Sequence, residues 1–253
     1  MELEGQAALV TGGASGIGGA ICRTLAAGGA NVLVADVDEG AAAKVAAQCE
    51  GRASAFRMDA SVPADAAAAV AACAERYGAC TILVHSAAPP DRHGPILEML
   101  PERWGKVLDV ILTGGYLAAV EFSKQVQRQG KGGSIVNIVS TVVESPRVNS
   151  AAYCSAKSGL VALTRVLAME LAPLGIRVNA VGPGLTQTPR MLSTNKQEYN
   201  TAFLKQVPLG RLGESQDIAN AVRFLVSPAA SYISGQSLYV DGGYGAGKLS
   251  VQA

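Results

Sequence analysis

Tyr153 and Lys157 stand four residues apart in YCSAKSGLVALTRVLAMEL, a segment with helical apolar spacing, so both side chains project from one face and the ammonium comes within reach of the phenol. Alone, such a pair reads as a solvated helix face. Ser140 changes that reading. It closes the strand-like run GSIVNIVS at the carboxyl end, where doubly wound sheets bind their ligands, and a twelve-residue connection leads from it to Tyr153. A loop of that length brings the hydroxyl beside the phenol, and the three groups together have a proton-transfer task. Free tyrosine, with a pKa of about 10, is a poor base at neutral pH. A neighbouring ammonium and the positive ring of an oxidised nicotinamide both favour phenolate.

A second group of residues could hold that nicotinamide. Gly12, Gly16 and Gly18, with Ser15 and Ile17 between them, lie in the turn from the strand QAALVTG to the helix ICRTLAAGG. Absent side chains there let the backbone approach a pyrophosphate, and the helix amides face its charge. Asp36 ends the next strand, NVLVAD, 24 positions after Gly12, where a carboxylate accepts hydrogen bonds from a ribose diol. The same carboxylate repels a 2'-phosphate, and no Arg or Lys occupies positions 35–40, which favours NAD over NADP. Arg23 argues weakly the other way. Asp59 and Ala60, after the third strand, stand where adenine would lie, although a strand-end turn or helix cap explains the aspartate equally well.

The elements that must position these groups alternate along the chain. Apolar strand patterns fall at QAALVTG, NVLVAD, SAFRMDA, TILVHSA, GSIVNIVS, IRVNAVGPG and QSLYVDGG, with helical patterns between them. Residues 101–128 read as a long helix interrupted by Gly114 and Gly115. Continuous apolar strands separated by helices imply an α/β fold: a doubly wound Rossmann arrangement, its central sheet mostly or wholly parallel, with helices on both faces. A length of 253 residues allows one large domain or two small ones. The absence of a compositional break, a linker or a repeat favours one domain over 1–253. Residues 184–208, rich in Thr, Gln, Asn and Pro, break the rhythm and read as a substrate lid with one or two short helices, and 244–253 reads as a C-terminal tail.

Composition narrows the function further. With 21 basic and 20 acidic residues and no long run of either sign, neither a nucleic-acid surface nor an anionic-membrane surface is indicated. No run approaches the roughly 18 apolar residues of a membrane helix. No secretion signal is visible. Cys22, Cys49, Cys73, Cys80 and Cys154 are scattered and odd in number, and with His85 and His93 they make no convincing metal set. A reducing cytoplasm is the expected location.

Together TGGASGIG at 11–18, Asp36, Ser140 with YCSAK at 153–157, PGLTQT at 183–188 and VDGG at 240–243 resemble the classical short-chain dehydrogenase/reductase family, from about Leu3 to Gly243. The resemblance implies that Ser140 positions the substrate oxygen, Tyr153 is the general acid/base, and Lys157 lowers the tyrosine pKa and holds the nicotinamide ribose. It implies further cofactor contacts at Pro183, Gly184, Thr186 and Thr188, and at Ser86 and Ala87 after the fourth strand. It also implies metal-free chemistry in a homotetramer, or sometimes a dimer. Two departures stand out. His85-Ser86-Ala87-Ala88 replaces the family's Asn-Asn-Ala-Gly. Ile111 stands where the family commonly has an asparagine that helps hold a water joining the lysine to solvent. The Ile111 carbonyl is left as the group to hold that water.

The expected reaction is NAD-dependent interconversion of a secondary alcohol and a ketone. His93, Glu144, Arg147, Asn149 and Arg190, if they face inward, favour a polyol, a sugar derivative or a hydroxy acid. Val142, Val143, Leu185, Met191 and Leu192 would instead line a pocket for a lipophilic cyclic alcohol. A non-catalytic NAD-binding regulatory or structural protein is the alternative of a different class.

Overall fold

A computed structural model describes residues 1–90, 94–192 and 197–247. The seven apolar segments all form strands: β1 Ala7–Thr11, β2 Asn31–Asp36, β3 Ala53–Arg57, β4 Ile82–His85, β5 Gly133–Ile138, β6 Ile176–Pro183 and, after two short strands β7 (Thr186–Gln187) and β8 (Gly213–Glu214), β9 Ser237–Val240. The seven make one parallel sheet in the order β3-β2-β1-β4-β5-β6-β9. β1, β4 and nearly all of β6 are buried along their length, which is why they read as continuous apolar runs rather than alternating ones.

Helices occupy both faces, giving the doubly wound Rossmann fold. The helices in chain order are α1 Gly16–Ala27, α2 Glu39–Ala47, α3 Pro63–Tyr77, α4 Pro101–Leu108, α5 Gly114–Gln129, α6 Ala151–Glu170, α7 Pro189–Leu192, α8 Gln197–Leu204 and α9 Ser215–Val226. On one face Ile21 and Leu25 of α1, Val45 of α2 and Ile218, Val222 and Leu225 of α9 pack on Val10, Val34 and Val136 of the sheet. On the other, Val70 of α3, Phe122 and Val126 of α5 and Leu167 of α6 cover Leu9, Leu33, Leu83 and Ile135. Strands β1 to β6 thus contribute alternate residues to two separate cores. A third cluster, with Ile111, Val139, Ala156, Leu160 and Val161, lies beneath the residues expected to do chemistry.

The long helix expected over 101–128 is interrupted elsewhere than at the glycines. A π-turn over Asp109–Thr113 joins α4 to α5, and Gly114 and Gly115 begin a regular helix. Those glycines are there for close packing. A Cβ on Gly114 would stand 2.9 Å from the Ala60 carbonyl oxygen, and one on Gly115 would stand 2.8 Å from a Leu160 methyl and 3.1 Å from the His85 ring.

Because β1 has β2 on one side and β4 on the other, the connections leave it in opposite directions and open a crevice at its carboxyl end. That crevice lies between Gly12 and the turn after β4. The expected lid contains two short helices, α7 and α8. Its start is pinned by the small parallel pairing of β7 with β8, which two-residue strands cannot announce in a periodicity.

Candidate active site

Ser140 follows β5 in extended conformation and starts a 3-10 turn over Thr141–Val143, its Oγ accepting from the Val142 N–H at 3.3 Å. The chain returns as α6, whose buried side carries Ala152, Ala156, Leu160, Val161 and Thr164 against the sheet. Lys157 falls on that side and is only 2% exposed, which removes the solvated-face reading. Its ammonium donates to the Ile138 carbonyl at 2.5 Å and stands 5.7 Å from the centre of the Tyr153 ring. Burial disfavours the charged amine and pushes Lys157 down to about 7.

Ser140 and Tyr153 line one cavity of about 710 Å³. Its other walls come from Ala88 and Pro89 after β4, residues 145–148, Gly184, Leu185 and Thr188 after β6, and the lid with Tyr244. Both substrate-facing sets contribute to it. Arg147 lines the cavity together with Ser145, Asn200 and Gln206, and Val142, Leu185, Met191 and Phe203 line it as well. Glu144 instead accepts a 2.7 Å hydrogen bond from the Tyr239 hydroxyl, and Val143 packs into the third core cluster. Asn149 takes a left-handed conformation, φ +63°, and its carbonyl accepts from Gly94 N–H at 2.9 Å. His93 and the side chains of Arg190 and Leu192 lie outside the described residues.

The residues expected to hold a dinucleotide fit one. Gly12 and Gly16 have φ of +67° and +52°, and a Cβ on Gly12 would stand 2.7 Å from the Ala87 Cα. A Cβ on Gly16 would reach Thr188 Cγ2 at 3.4 Å, so the turn before α1 faces the segment after β6 across a narrow space. Ser15 precedes α1 without capping it through its side chain, and Ile17 packs on the core below. The helix amides therefore remain to meet a phosphate. Asp36 is fixed at the edge of this cradle by the N–H groups of Ala14, at 3.1 Å, and Asp38, at 3.2 Å. Gly184 is tied to β9 by its N–H to the Val240 carbonyl, and Thr186 donates to the Gly184 carbonyl at 3.1 Å. Thr188 Oγ1 accepts from Met191 N–H at 3.2 Å and so starts α7. Pro183 ends β6.

Asp59 makes the contacts that a strand-end turn calls for. Its Oδ1 accepts from both the N–H and the hydroxyl of Ser61, at 3.0 and 2.6 Å, which holds the carboxyl below its usual range. Ala60 is buried against Gly114.

The sequence reading missed His85. Its fully buried ring has Nδ1 2.9 Å from Thr11 Oγ1 and Nε2 3.0 Å from the Ile111 carbonyl oxygen. The carbonyl left to hold a water thus has a histidine as its partner. Ser86 and Ala87 follow, their N–H groups donating to the same Thr11 hydroxyl at 3.3 and 3.4 Å. Among the described residues no cluster of His, Cys, Asp or Glu could hold a metal, and no helix is long and apolar enough to cross a membrane.

Comparison with known proteins agrees with this geometry. A family described as enoyl-(acyl carrier protein) reductase matches residues 12–245. Galactitol 2-dehydrogenase (L-tagatose-forming) of Cereibacter sphaeroides is 42% identical over 248 residues, 96% of each chain. Cis-4-hydroxycyclohexanecarboxylate dehydrogenase of Sinomonas cyclohexanicum is 38% identical, covering 94% of this chain and 95% of its own. The crystal structure of 3-ketoacyl-(acyl-carrier-protein) reductase from Brucella melitensis, complexed with NADH, superposes with a TM-score of 0.90 at 35% identity, over 96% of this chain and 99% of that one. With Ser140, Tyr153 and the buried Lys157 gathered beside a glycine cradle on this sheet, the chain belongs to the short-chain dehydrogenase/reductase family of oxidoreductases.

Proposed function

We propose that this chain interconverts a secondary alcohol and a ketone with NAD. The observation that carries the proposal is the meeting of Ser140 and Tyr153 in the wall of one cavity with Lys157 buried behind the phenol. Ser140 Oγ holds the substrate oxygen, and Tyr153 takes its proton on oxidation or returns it on reduction. Lys157, in its charged form, favours the phenolate. Bound NAD supplies the hydride acceptor. Gly12, Ser15, Gly16, Ile17 and Gly18 would cradle its pyrophosphate, Asp36 its adenosine ribose, Asp59 and Ala60 its adenine, and Ser86, Ala87, Pro183, Gly184, Thr186 and Thr188 its nicotinamide half. Asp36 supports NAD over NADP, because a 2'-phosphate there would meet a carboxylate already aimed by two backbone amides.

Arg147, Ser145, Asn200 and Gln206 in the cavity support a hydroxylated or acidic substrate, such as a polyol, a sugar derivative or a hydroxy acid. Galactitol 2-dehydrogenase and cis-4-hydroxycyclohexanecarboxylate dehydrogenase, to which the chain is similar, are named for a polyol and a hydroxy acid. Val142, Leu185, Met191 and Phe203 favour a second reading, a lipophilic cyclic alcohol. Exposed Val166, Met169, Phe224, Tyr232 and Leu238 support a homotetramer or dimer, and five free cysteines support a reducing cytoplasm.

The test is NADH formation with a panel of polyols, hydroxy acids and cyclic alcohols. Turnover that is lost in Tyr153→Phe supports the proposal. NAD binding without turnover of any member of the panel would move the assignment to a non-catalytic binding protein.

A further inference from the structure

The His85 ring joins two parts of the site that no backbone connection links directly. On one side is Thr11 at the end of β1, 1% exposed, whose hydroxyl also receives the N–H groups of Ser86 and Ala87. Ala87 is the residue against which Gly12 of the phosphate cradle is packed. On the other side is the carbonyl of Ile111, in the π-turn whose Leu112 packs on Gly159 of α6, two residues along the helix from Lys157. A carbonyl only accepts, so Nε2 carries the ring proton. Nδ1 is then an acceptor, and the Thr11 hydroxyl must donate to it. That choice leaves the Thr11 lone pairs for Ser86 and Ala87. One tautomer thus satisfies every partner, and the opposite one would set a lone pair against the Ile111 carbonyl.

We propose that His85 is a positioning residue that fastens the cofactor turn to the π-turn, through Nδ1 to Thr11 and through Nε2 to Ile111. The two bonds have separate effects. The Nδ1 bond fixes the Thr11 hydroxyl and, through it, the Ser86–Ala87 backbone beside Gly12, so it acts on NAD affinity. The Nε2 bond fixes the π-turn against which α6 and Lys157 are seated, so it acts on the chemical step. Gly115 belongs to this arrangement, because a Cβ there would stand 3.1 Å from the imidazole and 2.8 Å from a Leu160 methyl. The proposal rests on the dehydrogenase reading only for its second half.

Two replacements separate the bonds. The amide of glutamine reaches the place of Nε2, and that of asparagine the place of Nδ1. In His85→Gln, kcat stays within about threefold of wild type while the Kd for NAD rises roughly tenfold; in His85→Asn, NAD affinity is kept while kcat falls roughly tenfold with little change in substrate KM. Any other pattern, including both constants moving together or neither moving, overturns the proposal, since a merely structural histidine would not produce crossed effects. The imidazole 15N spectrum of the wild-type protein serves where a variant does not fold: a neutral ring protonated at Nε2 is expected, and the opposite tautomer or a charged ring overturns the proposal. If wild type oxidises no alcohol, the proposed reaction fails, and the NAD affinities with the tautomer still decide the role of His85.

Discussion

Lys157 sits in a place that penalises its charge, and the penalty bears on its role. Its ammonium donates a hydrogen bond to the Ile138 carbonyl, and burial brings the amine to about 7, near the pH at which it would act. Lys157→Ala should therefore weaken NAD binding and turnover together. Tyr153→Phe should lower kcat by about 10²- to 10⁴-fold with NAD affinity nearly unchanged, as read by steady-state kinetics and by fluorescence titration with NAD. Asp36→Ala should raise affinity for NADP selectively, and equal wild-type affinities for the two cofactors would remove the argument from Asp36. His85 gives a stability prediction. Burial, and then the neighbouring Lys157 ammonium, bring its pKa down from 6.5 to about 4. The unfolded chain binds the proton first as pH falls, so the stabilising contribution is whole above about pH 6.5 and is lost toward pH 4, on the order of 3 kcal/mol. Denaturant melts of wild type and His85→Gln across that window should show a shallower acid slope in the variant.

At the scale of elements, the helices were legible because their buried faces repeat at the helical period, and the strands because burial on both faces makes them continuous apolar runs. The seven strands and the helix that carries Tyr153 and Lys157 lie where those periods put them. The π-turn was not legible. Asp109–Thr113 has helical spacing on either side, and what distinguishes it is a bond to a ring 26 residues earlier. For the same reason Gly114 and Gly115 looked like breaks when they are sites of close approach. Asp36 and Ser140 could be placed from strand ends alone, whereas the burial of Lys157 needed the sheet beneath it. Gly115→Ala should cost about 1–3 kcal/mol, since its methyl meets both Leu160 and the His85 ring. Ile111→Asn should lose a similar amount and bring no gain in turnover, because position 111 is fully buried in an apolar cluster that offers the added amide poor surroundings. A thermal melt paired with kcat for each variant checks both expectations.

Across the whole molecule, α8 and Tyr244 meet beside the cavity. Phe203 of α8 stacks on Tyr244, with ring centres 4.6 Å apart, and both line the pocket. Deleting 245–253 should leave the sheet folded and shift substrate KM; unchanged kinetics together with an unchanged mass in solution would separate the tail from both pocket and assembly. The packing of α1 has a different consequence. Its apolar residues Ile21 and Leu25 are covered in part by Ile218, Val222 and Leu225 of α9, and Gln216 donates to Thr24 across 192 residues of chain. During synthesis α1 leaves the ribosome well before α9, the helix that covers part of it. Until then the stripe of α1 is incompletely covered, so a chain cut before α9 should aggregate even though it contains Ser140, Tyr153 and Lys157, as light scattering of that truncation would show.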